Sequence, residues 1–343
     1  MENSKKVTIH DIAEKLNITA STVSRALNGN PRISERTKKA VLKTADELNY
    51  EPNQVASALR SGRTQLIGML VPSINRAFFS SIIRGVEEVA NSLGYHVIVS
   101  PSYENLENEE RVIKAFLSAR VDGVIASIGK STQQFEHFNQ VLGRGLPLVL
   151  FDRTTPMLQT SQVVIDDYQG AYMATAHLIE QGCTRIAHFT TERKINIYKE
   201  RYRGYVNALE DHGVTFDDSL VFSGNLQLED GQLHTKQLIA SGDAFDAIFS
   251  ASDYAAMGAM QVLKENGFSI PKDVALVGFL NEPFTAFTDP PLTTVNQFPI
   301  EMGRTAANLF FNALNSEQQK VTPKKTVLQP ELIIRQSSLK QES

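Results

Sequence analysis

From residue 65 onward, short apolar runs alternate with amphipathic stretches of helical period, and no other feature constrains the fold as strongly. The runs are 66–71 (LIGMLV), 96–100 (HVIVS), 121–126 (VDGVIA), 147–151 (PLVLF), 185–189 (RIAHF), 246–250 (DAIFS) and 274–279 (VALVGF). Runs of this length between helical patterns read as strands buried on both faces, and their alternation predicts parallel sheets covered by helices. A faint internal echo, IRGVEEVANSLGYHV at 83–97 and YRGYVNALEDHGVTF at 202–216, predicts two such doubly wound units. Ligands bind at the carboxyl edges of such sheets, so two facing units form a cleft.

The first 65 residues follow a different pattern. They hold eleven Lys and Arg against seven Asp and Glu, a net of +4, whereas the remainder carries −8. A basic head on an acidic body suits a polyanionic partner, although a solvated charge run would look the same by composition alone. The single Cys183 cannot staple a fold and suits a reducing compartment. The start, MENSKK, is charged and lacks the apolar segment of a secretory signal, and no apolar run is long enough to span a bilayer. The expected location is therefore the cytoplasm, with no membrane partner. No nucleotide-binding glycine motif and no Cys or His pair of zinc spacing is present, so neither a cofactor, a metal nor an enzyme is expected.

Within the head, Thr8 stands three residues before Asp11, the spacing of a capping box, and Ile9, Ile12, Ala13 and Leu16 follow at helical spacing. A helix over about 9–16 follows, then a turn at Asn17 and Ile18, then a second helix capped by Thr19. At 100° per residue, Thr22, Val23, Ala26 and Leu27 share one arc of that helix. The other arc carries Ala20, Ser21, Ser24, Arg25 and Asn28. Small side chains there let the helix approach a surface closely, and Arg25 can reach a guanine edge. Ser34 caps a third helix with a stripe of Val41, Leu42, Ala45 and Leu48. Two short helices on a tight turn, braced by a third, make a helix-turn-helix unit.

With these residues in place, residues 8–68 resemble the DNA-binding headpiece and hinge of the LacI/GalR family of bacterial transcription regulators, most tellingly in TVSRALN and YEPNQVASALRSGRT. The resemblance implies that Ala20, Ser21 and Arg25 read bases and that Thr8, Thr19, Ser24 and Asn28 hold the DNA backbone, where the two threonines serve equally as helix caps. Composition alone makes 53–60 a linker with a helix too short to stand by itself. The resemblance makes it a hinge that orders on DNA, with Val55 and Ala56 at the contact and Leu59 wedged into the minor groove.

The body is similar to the effector-binding core of the same family, which shares its fold with periplasmic sugar receptors. The matching pieces include VPSINRAFFSSIIRGVEE, ARVDGVIA, LPLVLFDR, VVIDDYQGAYMATAHLIEQGCTRIAHF and VALVGFLNEPF. The expected fold is thus an α/β chain with an N-terminal three-helix helix-turn-helix headpiece and a periplasmic-binding-protein-like core of two doubly wound parallel-sheet subdomains. Headpiece and hinge occupy 1–50 and 51–64, and the core 65–343. Crossings near 165, 292 and 323 assign about 65–165 and 293–323 to one subdomain and about 166–292 and 324–339 to the other.

Several residues stand at family ligand positions. Phe78 and Phe79 offer ring faces, with ordinary core packing as the alternative. Asp152 and Arg201 pair a carboxylate with a guanidinium suited to hydroxyls or an anionic group. Asp166, Ser252 and Asp253 open helices and serve either as caps or as ligand contacts. Asn281 follows Leu280, which stands where many members carry an acid, and Ser252 replaces a common Asn. The expected protein is a homodimeric regulator of the repressor type that binds a palindromic double-stranded operator under the control of a small molecule, by preference a sugar or sugar derivative. A purine or nucleoside effector, a protein cofactor and, from another class, a solute-binding receptor are the alternatives. The tail, LKQES, lacks the extra leucine heptads of tetrameric members.

Overall fold

The computed structural model describes residues 7–50, 62–192, 195–316 and 322–340, divided into one unit up to Thr64 and a second from Gln65. The proposed hinge contacts Val55, Ala56 and Leu59 lie outside the described residues.

In the first unit, α1 (Ile9–Leu16) begins where the Asp11 carboxylate accepts the Thr8 N–H at 2.7 Å, and it ends at Asn17, whose φ of 51° is left-handed. Helix α2 (Ala20–Leu27) starts with Thr19 Oγ1 accepting the Thr22 N–H at 3.2 Å. Helix α3 (Glu35–Glu47) starts in the same way at Ser34. Each cap satisfies an amide that the helix ladder leaves without a partner. Ile12, Val23 and Val41 are fully buried at the centre, with Ala13, Ala26 and Ala45 around them. One expectation fails here: Leu42 is 51% exposed, while Thr44 is buried. At 100° per residue, positions 41, 44, 45 and 48 share an arc, and 42 is turned away from it.

The second unit contains two six-stranded sheets of matching order. The first comprises β1 (Leu66–Val71), β2 (His96–Pro101), β3 (Val124–Ala126), β4 (Leu148–Phe151), β5 (Ser161–Ile165) and a late strand, β11 (Lys325–Leu328). The second comprises β6 (Ile186–Thr190), β7 (Val221–Ser223), β8 (Ala247–Ser250), β9 (Ala275–Phe279), β10 (Thr293–Asn296) and β12 (Glu331–Ile333). Their orders are β2-β1-β3-β4-β5-β11 and β7-β6-β8-β9-β10-β12. Among the described residues, every pairing is parallel except β10 with β12. Helices α4 (Ala77–Ser92), α5 (Leu106–Ser118), α6 (Glu136–Gly143) and α11 (Pro299–Leu314) flank the first sheet. Helices α7 (Asp167–Glu180), α8 (Asn196–Asp211), α9 (Leu228–Ser241) and α10 (Asp253–Glu265) belong with the second.

The internal echo has a packing cause. A Cβ on Gly85 of α4 would lie 2.1 Å from the Ile300 carbonyl of α11, and one on Gly204 of α8 would lie 2.3 Å from the Tyr168 carbonyl of α7. In each subdomain the repeated glycine lets two helix backbones touch.

Two of the three expected crossings move. The chain leaves the first sheet after β5, near 165. It returns only beyond β10, which pairs with β9 at 293–295, so that crossing falls at about 297 rather than 292. Strand β11 pairs with β5, and the last crossing therefore lies between Leu328 and Glu331, not at 323. In both places strand pairing, rather than an apolar run, marks the boundary.

Candidate functional site

Two places gather chemistry. In the three-helix unit, α2 turns Val23 and Ala26 inward and leaves Ser21, Arg25 and Asn28 exposed, with Ala20 and Ser24 half-buried beside them. Asn28 donates to the Ser24 carbonyl at 2.6 Å and closes the end of the helix. Thr8 and Thr19 are exposed caps, so their hydroxyl oxygens already hold helix amides. The result is a narrow face of small side chains with one long cation, on a helix of eight residues.

In the second unit, a cavity of about 290 Å³ lies at the carboxyl edges of both sheets. This is the edge where βα loops and helix N-termini of parallel sheets converge. Asp152 follows β4 in a left-handed turn (φ 57°) and is 5% exposed. Burial raises its carboxyl above the ordinary range, against the pull of Arg153 and Arg201. The neighbouring Arg153 donates through Nη1 to both Glu104 oxygens, at 2.9 and 2.8 Å. Glu104 also accepts the Lys130 N–H at 2.8 Å. Burial works to raise Glu104, but Arg153 and Lys130 outweigh it and leave its carboxyl below the usual range.

Across the cavity, Arg201 projects from α8 and is 2% exposed. Its Nε donates to Asp167 at 2.8 Å, its Nη1 donates to the Ala251 carbonyl at 3.0 Å, and its guanidinium lies 3.8 Å from the Phe279 ring centre. Burial pushes the Asp167 carboxyl up to about 7 in spite of that partner. Phe78 and Phe79 meet edge to face, with ring centres 5.2 Å apart, and Tyr198 stands opposite on the other subdomain.

Of the eight residues expected at the effector, Phe78, Phe79, Asp152, Arg201 and Ser252 line this cavity. Ser252 also caps α10 through the Tyr254 N–H. The other three do not line it. Asp166 caps α7 by accepting the Gln169 N–H at 2.9 Å. Asp253 is fully buried, accepts from Thr294 Oγ1 at 2.6 Å and from the Glu282 N–H at 2.8 Å, and has its carboxyl pushed by burial up to about 7. Asn281 accepts from Arg335 at 3.1 Å. These three hold loops in shape, a task that helix-opening acids and turn amides perform wherever parallel strands end.

Sequence reasoning missed Arg76, Glu104, Lys130, Arg153, Tyr198 and Glu282, all of which face the cavity. Arg153 had a signal, its place directly after Asp152. Glu282 had a weaker one: Leu280 (φ 127°) and Asn281 (φ 52°) carry the chain through two consecutive left-handed residues, and Asn tolerates that region. Leu280 and, two residues later, the acid Glu282 both line the cavity.

Bonds also cross the cleft between the subdomains. Lys130 Nζ donates to the Asn225 carbonyl at 2.9 Å, and the Thr154 N–H donates to Asn196 Oδ1 at 3.3 Å. Arg76 donates to Gln227 and lies 3.5 Å over the Tyr254 ring.

A helix-turn-helix unit followed by a core of two parallel-sheet subdomains around a cleft defines the bacterial DNA-binding regulators built on a periplasmic-binding-protein-like scaffold. Residues 8–53 match the family of bacterial regulatory proteins of the lacI type, and residues 175–338 match the periplasmic binding protein-like domain. The HTH-type transcriptional regulator DegA of Bacillus subtilis is 31% identical, over 97% of this chain and 98% of its own length. A complex of the transcriptional regulator CelR with cellobiose is 30% identical and covers 97% of this chain and all of its own, with a TM-score of 0.73. The lac repressor dimer bound to operator and the anti-inducer ONPF is 25% identical, covers 98% of this chain and all of its own, and has a TM-score of 0.86. The chain belongs to the LacI family: it is a DNA-binding transcriptional regulator, and its relatives are regulators, not enzymes. Among the described residues, no helix is long and apolar enough to cross a membrane.

Proposed function

We propose that the chain acts in the cytoplasm as a homodimeric repressor on a two-fold symmetric operator, under the control of a saccharide or sugar derivative bound in the core cavity. The observation that carries the effector reading is the cavity itself, with Asp152 and Arg201 on opposing subdomains and aromatic rings on its wall. A carboxylate and a guanidinium orient vicinal hydroxyls, and a ring face covers the apolar side of a pyranose. The cellobiose carried by CelR supports this class of ligand.

Ser21 and Arg25 on the exposed face of α2 read base edges, with Ala20 allowing close approach and Ser24 and Asn28 near phosphate. Val55, Ala56 and Leu59 form the hinge contact. Binding in the cleft changes how the two subdomains meet, and that change decides whether two headpieces engage one operator together. Coupling of this kind is typically about 1–3 kcal/mol.

A thermal-shift panel of mono- and disaccharides, purines and nucleosides tests the reading. A saccharide at a hundred times its dissociation constant stabilises the core by roughly 2.7 kcal/mol. Response to a purine with silence across the saccharides overturns it.

A further inference from the structure

Helix α4 opens without a cap of its own. Its Ncap residue is Arg76, whose side chain makes no capping bond, and its first turn carries no acid. A helix N-terminus in that condition presents free N–H groups and a partial positive charge, and it attracts anions. Here the missing partner comes from the other subdomain. Glu282 is 2% exposed, lines the cavity, and accepts the Phe78 N–H through Oε1 at 3.4 Å. Burial raises its carboxyl above the ordinary range, against the pull of the Phe78 amide, Arg76 and the Ala77 amide, which favour the charged form. Its own backbone N–H is held by Asp253 at 2.8 Å, which fixes the carboxylate's approach. Arg76 completes the corner on Gln227 and the Tyr254 ring.

We propose that Glu282 sets the charge preference of the cavity: its carboxylate fills the anion-attracting end of α4 across the cleft, so the cavity selects an effector that is neutral at that end. The proposal rests on the reading of this cavity as the effector site. An effector phosphate or carboxylate placed there meets a like charge, and it must displace Glu282 to reach the α4 amides. A hydroxyl-bearing ring has no such conflict. The same carboxylate draws the two subdomains together at this edge, so closure and selectivity share one residue.

Amide hydrogen exchange of the full chain tests this directly, with inorganic phosphate as the probe. The amides of Ala77 and Phe78 lie in the first turn, where the helix ladder cannot protect them, so their protection reports the cap from Glu282. In Glu282→Ala these two amides exchange faster by on the order of ten- to a hundredfold, the range of a hydrogen bond to a charged group. Val86, in the interior of the same helix, stays unchanged. Added phosphate restores protection in Glu282→Ala and has no effect on the natural protein.

Unchanged exchange at Phe78 in the variant overturns the proposal, as does an equal phosphate response in the natural protein. Where Val86 also speeds up, Glu282→Gln decides, because it keeps an acceptor oxygen and drops the charge: it must bind phosphate more tightly than the natural protein does. None of these readouts uses an effector. They therefore stand or fall separately from the saccharide panel.

Discussion

The three-helix unit and the two-sheet core place their sites in opposite ways. The outward face of α2 is assembled between Thr8 and Asn28, from caps and side chains that contact neighbours a few residues away. The cavity draws its walls from loops and helix first turns spread between Pro72 and Glu282, and its charged groups pair across tens to hundreds of residues, as Arg153 does with Glu104 and Glu282 with Phe78. One site is exposed and its cation is free to reach a partner. The other is buried, and nearly every charge in it already carries a structural bond. The contrast teaches that a headpiece variant can lose DNA contact without losing its fold, whereas a cavity variant rarely changes binding alone.

The largest expected effect breaks the second half of that contrast or confirms it. Arg201→Ala leaves Asp167 buried without its guanidinium, and the core loses roughly 3–5 kcal/mol in urea unfolding. The pH dependence follows from the raised carboxyl. A folded-state value of about 7, above the ordinary 3.8, means the native protein holds a proton that the unfolded chain releases. Stability from this group is therefore present at low pH and lost as pH rises from about 4 towards 7. With Arg201 gone that carboxyl rises further, so the variant is penalised more at pH 8 than at pH 6. An equal penalty at both values removes Asp167 as the cause.

Ile12→Ala comes next. It opens a cavity in a unit with only a handful of buried side chains and costs that unit roughly 2–5 kcal/mol. Calorimetry should show the transition of the first unit falling while that of the core stays in place. A core transition that moves with it means the two units are one thermodynamic body.

Arg25→Ala follows, with a loss of about 1–3 kcal/mol in operator binding and no change in either melting transition. Fluorescence anisotropy on a symmetric operator reads the loss, and an unchanged affinity removes Arg25 from base reading. The smallest effect is that of Thr8→Ala, which removes half of a capping box and costs about 1 kcal/mol in the first unit. Thr8→Ser recovers it if the cap is the cause. Affinity that stays low in Thr8→Ser after stability recovers shows a contact that depends on the threonine methyl.

Much of this architecture is legible in the residues. The three helices of the head, their caps and the face of α2 follow from periodicity, because every determinant lies within one or two turns. Seven strands, β1, β2, β3, β4, β6, β8 and β9, announce themselves as apolar runs, starting with LIGMLV at β1. Strands β5, β7, β10, β11 and β12 do not. Sequences such as SQVVI, TTVN and ELI are short and partly polar, and only pairing with β4, β9 and β10 makes them strands. The displaced crossings at about 297 and 329 share that cause. Among the cavity residues, Asp152 and Arg201 were legible through the resemblance alone, while Glu104 and Lys130 sit in loops without a pattern.

By itself, the sequence determined the kind of protein: a small basic helix-turn-helix unit, a body of alternating strands and helices, and a cleft between two related halves. Those properties depend on local propensity, apolar period and charge, all of which a linear chain carries. The tertiary structure alone decided which acids reach the cavity. Asp166, Asp253 and Glu282 all sit near strand ends, yet the first two are spent on a helix cap and a loop, and the third reaches across the cleft. That division turns on two left-handed residues at 280 and 281 and on an uncapped helix in the other subdomain. Contacts between groups about two hundred residues apart exist only once both sheets have formed.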